Sequence, residues 1–217
     1  MSHQQTQPSD EIILFTRYPQ PGKVKTRLIP ILGENGAARL HRDLTEQVIR
    51  KIEPITHNQL YHFLLYYTGG TDRQMRDWLG DTISFRVQDE HDLGHRMAAA
   101  FRTARDHGAS RAVLIGSDCP SIDAQLITTA FEKLGKSDLV LGPTFDGGYY
   151  LIGMHYAVAD KKINSLFENI SWGTPDVYSQ TMARAEKADI SFYSLTQHHD
   201  IDRPEDLEYF NHNPDTQ

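Results

Sequence analysis

The sequence predicts an α/β fold: one domain, a three-layer sandwich in which a mostly parallel sheet carries helices on both faces. Three observations predict it. Short apolar runs of strand length alternate with stretches whose apolar residues recur at helical spacing. Several of the runs are apolar at consecutive positions, as strands buried on both faces are. The alternation repeats along a chain of 217 residues, a length suited to one domain.

The elements follow in order. Met1 to Asp10 reads as a disordered lead, residues 11–210 as the domain and residues 211–217 as a tail. Ile12, Ile13, Leu14 and Phe15 form the first strand. A loop with Pro19, Pro21 and Gly22 follows, and then Ala37, Leu40, Leu44 and Val48 recur at helical spacing. Tyr61 to Tyr67 is a second strand, Asp72 to Leu79 a short helix, and Ile83, Phe85 and Val87 alternate as a third strand does. Leu93, Met97, Phe101 and Ala104 mark a helix and Ala112 to Ile115 a strand. Ile127, Ala130, Phe131 and Leu134 mark another helix, with a strand over Asp138 to Leu141. Past residue 143 the pattern is less regular, and Gly147, Gly148, Trp172, Gly173 and Pro175 mark loops of an elaboration within the same domain.

Composition removes several function classes. Lys plus Arg is 22 and Asp plus Glu is 29, a net charge of −7 that argues against a nucleic-acid partner. The single cysteine, Cys119, excludes a disulfide framework and a cysteine-rich zinc site, and its surroundings read as those of a small buried hydrophobe. No apolar run approaches the ~20 residues that span a bilayer, and the first eleven residues lack a signal-peptide core; a cytoplasmic protein is expected. The 11 histidines show no zinc-hydrolase spacing, and no Gly-x-Ser-x-Gly elbow is present.

Parallel sheets bind ligands outside the carboxyl ends of their strands, and the chemistry-bearing segments fall there. Arg17 to Leu28 holds Arg17, Lys23, Lys25 and Arg27 and no acid. Such a cluster suits a phosphate cradle, or equally a solvated basic loop opening a surface helix. It is not a Walker A loop, because Val24 stands where Ser or Thr is required. Asp118, straight after a buried strand in Gly116-Ser117-Asp118-Cys119-Pro120, suits a hard cation or a plain turn. Asp202 and Glu205 around Pro204 read as a capping box for a short C-terminal helix. Asp200 and Asp202 also share one side of an extended segment and could serve a metal. Asp146 stands beside Gly147 and Gly148, which permit close approach of a ligand or form a tight turn. Arg96, at a loop entering a helix, contacts a ligand or solvates that helix.

In this order the segments resemble the glycosyltransferase-A-like (GT-A), or nucleotide-diphospho-sugar transferase, superfamily. The match is strongest to a bacterial branch, domain of unknown function 2064, also called selenodomain-associated transferase 1. The residues that carry it are Pro21 to Leu28, Asp92 to Met97, Gly116 to Pro120, Asp146 to Gly153, Trp172 to Thr174 and Asp200 to Leu207. The Lys-x-Lys-Thr-Arg-Leu loop is similar to that of phospholactate guanylyltransferase, and Ser117 to Pro120 to the metal-binding strand end of molybdenum-cofactor guanylyltransferases. The chain departs from the Gly-x-Gly-Thr-Arg loop of sugar-nucleotide nucleotidyltransferases and from the Asp-x-Asp motif, since Gly116 precedes Asp118 by two.

The resemblance implies a transferase dependent on Mg²⁺ or Mn²⁺, acting on a nucleoside triphosphate or nucleotide-sugar and a small-molecule acceptor. It implies that Arg17, Gly22, Lys23, Lys25 and Arg27 grip the phosphates, with Lys25 and Arg27 catalytic. Gly94 and Arg96 would then lie near the base, Asp118 and Asp202 would hold the metal with Asp200 as substitute, and Asp146, Gly147, Gly148, Tyr149 and Trp172 would face the acceptor. Nucleotidyl transfer to a phosphorylated acceptor is the first expectation. Glycosyl transfer with Asp146 as base is the second, and a non-catalytic nucleotide-binding module the third.

Overall fold

The computed structural model describes residues 10–56, 61–157 and 160–211, so all but Asp10 of the lead expected over residues 1–10, and all but Asn211 of the tail expected over 211–217, lie outside the described residues. The strands are β1 (Asp10–Arg17), β2 (Tyr61–Thr68), β3 (Ser84–Val87), β4 (Arg111–Gly116), β5 (Leu139–Pro143), β6 (Tyr149–His155) and β7 (Phe192–Ser194). They form one sheet in the order β3-β2-β1-β4-β6-β5-β7, parallel throughout except that β6 runs antiparallel to both its neighbours. Helices α1 (Ile29–Thr56), α2 (Asp72–Leu79) and α4 (Ala124–Leu134) cover one face, while α3 (Leu93–Asp106), α5 (Asp160–Phe167) and α6 (Val177–Lys187) cover the other. A last short helix, α7 (Leu207–Asn211), follows a 3-10 turn over Pro204–Asp206.

The three-layer α/β sandwich is the fold the alternation predicts, and β1 shows why. Its side chains point alternately to the two faces: Ile12 and Leu14 pack with Val48, Ile52 and Met75, whereas Ile13 and Phe15 pack with Phe101 and Ile163. Both sides are dry, which makes the strand read as an unbroken apolar run.

Three boundaries differ from expectation. Asp10 belongs to β1, opposite Tyr61, where Arg111 holds it at 2.6 and 2.9 Å. The helix that carries Ala37, Leu40, Leu44 and Val48 is preceded by a short helical turn from Ile29, with a break at Gly33 (φ 68, ψ 168), and Arg17 ends β1 rather than opening the loop. The stretch past residue 143 contains β6, α5, α6 and β7, so it is as regular as the rest. Helix starts are set locally: Asp92 accepts from the His95 N–H at 2.9 Å and Asp123 from the Leu126 N–H at 2.7 Å. Among the described residues no helix is long and apolar enough to cross a membrane.

Candidate functional site

A cleft of about 470 Å³ opens where β1 and β4 end. Thr16 and Arg17 reach it from β1, Gly116, Ser117 and Asp118 from the end of β4, and residues 23–27 from the loop after β1. Arg96 on α3 and Asp202 from the C-terminal segment close it. Five cations (Arg17, Lys23, Lys25, Arg27 and Arg96) thus face two carboxylates (Asp118 and Asp202), although the whole chain is acidic. Such a concentration of positive charge suits a polyanion.

Lys25 organises the cleft. It is buried and takes left-handed backbone angles (φ 47, ψ 42) ahead of the 3-10 turn Thr26–Leu28. A non-glycine residue in that region costs of order 1 kcal/mol and is retained where its surroundings fix it. Here its ammonium lies 2.7 Å from Asp118 Oδ1 and 4.0 Å from Asp202 Oδ1, and donates to the Ile201 carbonyl at 2.5 Å. Asp202 also pairs with Arg27. The two acids expected to share a cation, 84 positions apart in sequence, therefore converge on one ammonium.

The C-terminal turn corrects the capping-box reading. The carboxylate that reaches back is Asp206, not Glu205, accepting from the N–H groups of Asp202 at 3.0 Å and Arg203 at 2.7 Å. Pro204 shifts the turn one residue on, which leaves the Asp202 side chain to point at Arg27 and Lys25 instead of capping.

Burial would raise the Asp118 carboxyl, but the Lys25 ammonium and then His41 outweigh it and hold it well below the ordinary carboxylate range. Its Oδ1 is buried and receives no well-aligned hydrogen bond, while 44% of the side chain remains exposed. The set fits a hard divalent cation. Its donors are ionised oxygens, and Mg²⁺ typically takes one or two carboxylates and completes its shell with water and substrate phosphate. Among the described residues no group of three or more His, Cys, Asp and Glu side chains is gathered for a metal.

Beneath the cleft lies a polar floor that no local sequence signal marks. Thr16 Oγ1 is within hydrogen-bond distance of His41 Nε2 (3.3 Å), Thr45 Oγ1 (3.1 Å) and Ser117 Oγ (3.1 Å). His41 Nε2 also faces the Arg17 carbonyl at 3.0 Å, so that nitrogen carries the proton, and its Nδ1 lies 3.8 Å from Asp118. On the helix His41 reads as one more position beside Leu40; only the docking of α1 on β1 and β4 reveals it. Cys119, next to Asp118, is a buried hydrophobe as expected, and burial pushes its thiol up to about 12.

A second pocket of about 240 Å³ adjoins the cleft through Arg27, Leu93 and Asp202, and Asp146, Gly148, Tyr149 and Trp172 line it. Asp146 Oδ1 accepts from Thr144 Oγ1 at 2.5 Å and from the Gly148 N–H at 3.0 Å, so this acid also builds the tight β5–β6 turn. Asp200 lies nearby; burial first, then the carboxylates of Asp146 and Asp118, raise it to about 6. Gly147 supports the pocket from behind. Its φ is +91°, and a Cβ there would sit 2.0 Å from the Pro175 carbonyl oxygen. Gly147→Ala should lower stability by about 3 kcal/mol or more, visible as a fall in the thermal midpoint. A variant as stable as the parent would show that the Pro175 segment yields.

Three of the expected residues line neither the cleft nor the second pocket: Gly147, behind that pocket, and Gly22 and Gly94. Gly22 turns the chain before Lys23, with a would-be Cβ 3.4 Å from Glu34. Gly94 serves packing, because a Cβ would meet Trp172 at 2.7 Å and the Phe167 carbonyl at 3.0 Å. Gln88, which the sequence does not single out, also lines the cleft, and its Nε2 donates to the Thr16 carbonyl at 3.2 Å.

Residues 52–174 match the family model described as uncharacterized protein conserved in bacteria (DUF2064). The chain is similar to a candidate nucleotide-diphospho-sugar transferase from Desulfovibrio desulfuricans G20, at 33% identity over 95% of this chain and 89% of that one, with a TM-score of 0.85. It shares its fold with a CMP:2-keto-3-deoxy-manno-octonic acid synthetase complexed with CTP, at 12% identity, 93% and 96% coverage and a TM-score of 0.56. The manganese complex of Rv0371c from Mycobacterium tuberculosis H37Rv has the same fold, at 14% identity, 93% and 97% coverage and a TM-score of 0.53. No curated protein matches the chain.

Proposed function

The chain belongs to the DUF2064 family, within the nucleotide-diphospho-sugar transferase superfamily, and from its cleft we propose that it is a nucleotidyltransferase. It would join a nucleoside monophosphate to a small phosphorylated acceptor and release pyrophosphate. The observation that carries this reading is the cleft itself: five cations and two convergent carboxylates at the ends of β1 and β4. A second pocket for the acceptor shares Arg27 with it. A fold shared with a CTP complex and with a manganese complex supports the same reading.

In the reaction an acceptor phosphate oxygen attacks the α-phosphorus, the bond to the bridging oxygen breaks, and pyrophosphate leaves with the electron pair. Arg17, Lys23 and Arg27, at the exposed rim, bind the β- and γ-phosphates. Lys25, held rigidly by Asp118 and the Ile201 carbonyl, sets a fixed positive charge beneath the phosphates that offsets the charge growing on the leaving group. Asp118 and Asp202 would hold Mg²⁺ or Mn²⁺, which when bound supplies charge neutralisation and alignment of the phosphates. Positioning and electrostatics then dominate over proton transfer.

Isotope-labelled pyrophosphate exchange into each nucleoside triphosphate, with Mg²⁺ and candidate phosphorylated acceptors, tests the reading. Exchange is expected, and Arg27→Ala should lower it roughly tenfold, since Arg27 is one of several exposed contacts. Asp146 in the acceptor pocket favours one alternative, glycosyl transfer from a nucleotide-sugar with that carboxylate as base. Transfer from a nucleotide-sugar without any exchange would establish it instead.

A further inference from the structure

At the start of helix α3, outside the cleft, one local arrangement occurs twice. Asp89 Oδ1 accepts the His91 backbone N–H at 3.2 Å and also pairs with His91 Nδ1. Asp92 Oδ1 accepts the His95 backbone N–H at 2.9 Å, while its Oδ2 meets His95 Nδ1 at 2.9 Å. An ionised carboxylate only accepts hydrogen bonds, so both imidazoles carry a proton on Nδ1. In the neutral ring the lone pair is then on Nε2. Helix capping accounts for the Asp92 contact with a backbone N–H, but not for a carboxylate on each ring. Both histidine side chains are exposed. Their ring centroids lie 5.6 Å apart, with the planes tilted by 37°.

We propose that His91 and His95 form a binding site for a divalent transition ion of the Zn²⁺ class. An ion about 2.1 Å from each Nε2 stands roughly 3.2 Å from each ring centre, which at a tetrahedral angle puts the centres about 5.2 Å apart. The two rings stand close to that separation. Ligating histidines ordinarily give their second nitrogen to a carboxylate, which fixes ring and tautomer and makes the free nitrogen more basic. Here both have that support, and Asp89 and Asp92 add negative charge beside the ion. Imidazole suits such ions whereas Mg²⁺ takes oxygen, so the site is chemically distinct from Asp118 and Asp202 and independent of the nucleotide reading. With two protein nitrogens, water completes the coordination. The ion is therefore exchangeable, unlike one in a closed structural site with four protein ligands. It would clasp the loop after β3 to the first turn of α3. Arg96, which lines the cleft, donates from Nε to the His91 carbonyl at 2.6 Å, so the clasp would also steady a residue of the cleft.

The test is a Zn²⁺ titration of the intact protein against a chromophoric chelator, with excess Mg²⁺ present to occupy the carboxylates of the cleft. One saturable Zn²⁺ site is expected. His91→Gln and His95→Gln should each weaken it roughly tenfold or more, and Asp89→Asn, which removes only the support of a ligand, about tenfold. His62→Gln, an exposed histidine on β2, should leave it unchanged. Zn²⁺ should raise the thermal midpoint of the parent but not that of the variant carrying both glutamines. In nitrogen NMR of the parent, Zn²⁺ should shift the Nε2 resonances of two histidines whose protons sit on Nδ1. No saturable binding, or unchanged affinity in the variant with both glutamines, would overturn the proposal. Should a variant fail to fold, the parent spectrum decides, and fewer than two shifted ring nitrogens would overturn it.

Discussion

Lys25→Met should lower nucleotidyl transfer about a hundredfold or more, equivalent to ~3 kcal/mol of barrier, while weakening nucleotide binding much less. Methionine keeps the stem that fills the buried position and removes the charge. The ammonium is fixed by Asp118, Asp202 and the Ile201 carbonyl, so it needs no rearrangement as pyrophosphate acquires charge. Losing it also leaves Asp118 with burial dominating, and the carboxyl should rise from its low value. In the parent protein, that low value stabilises the fold above the ordinary pKa near 3.8 and loses the contribution as pH falls. The variant should lack this acid-sensitive component. Steady-state kinetics and exchange rates decide: a variant with unchanged turnover, or one that loses only affinity, would remove Lys25 from the chemistry.

Glu11→Gln should stabilise the protein by about 3 kcal/mol above pH 7 and by almost nothing near pH 4. Glu11 is 2% exposed in β1, its Oε1 has no hydrogen-bond partner among the described residues, and burial raises its carboxyl to about 7 against the lowering effect of Arg86. A folded-state value above the unfolded 4.5 means that the native state holds the proton more tightly. The favourable contribution is therefore complete below pH 4.5, is lost as pH rises toward 7 and stays lost above it. Denaturant unfolding of both proteins at intervals from pH 4 to 8 checks this. A stability difference that does not vary with pH would show that Glu11 titrates normally.

Much of the fold was legible because β1, β4 and β5 are buried on both faces and spell their burial as apolar runs, while β2 does so over Leu65 to Tyr67. The reading faltered at β6. Its first residues follow two glycines and it carries Gly153 in its middle, so the local text suggested a loop; antiparallel pairing with both β4 and β5 makes it a strand. In the site, clustering in sequence revealed the cations, because Lys23, Lys25 and Arg27 sit within one short loop. Partnerships across the chain were not legible. Nothing near Lys25 announces that its ammonium stands between Asp118 and Asp202, nor near His41 and Gln88 that both contact Thr16. Gly94 shows the opposite error, a residue within a matching motif whose missing side chain makes room for Trp172.

The contacts that complete the cleft join residues 176 and 175 positions apart, Lys25 to Ile201 and Arg27 to Asp202. A nascent chain can assemble most of the sheet long before that last segment leaves the ribosome. Until it arrives, a basic loop lies against β1 and β4 without the carbonyl and carboxylate that fix its shape. The entropy of closing so long a loop rises only slowly with its length, so distance in sequence is no great obstacle once the segment is present. Binding competence is thereby tied to the arrival of residues 201 and 202. A molecule still lacking that segment would hold a positively charged loop but no ordered cradle, and nucleotide would find its full set of contacts only once the segment has docked.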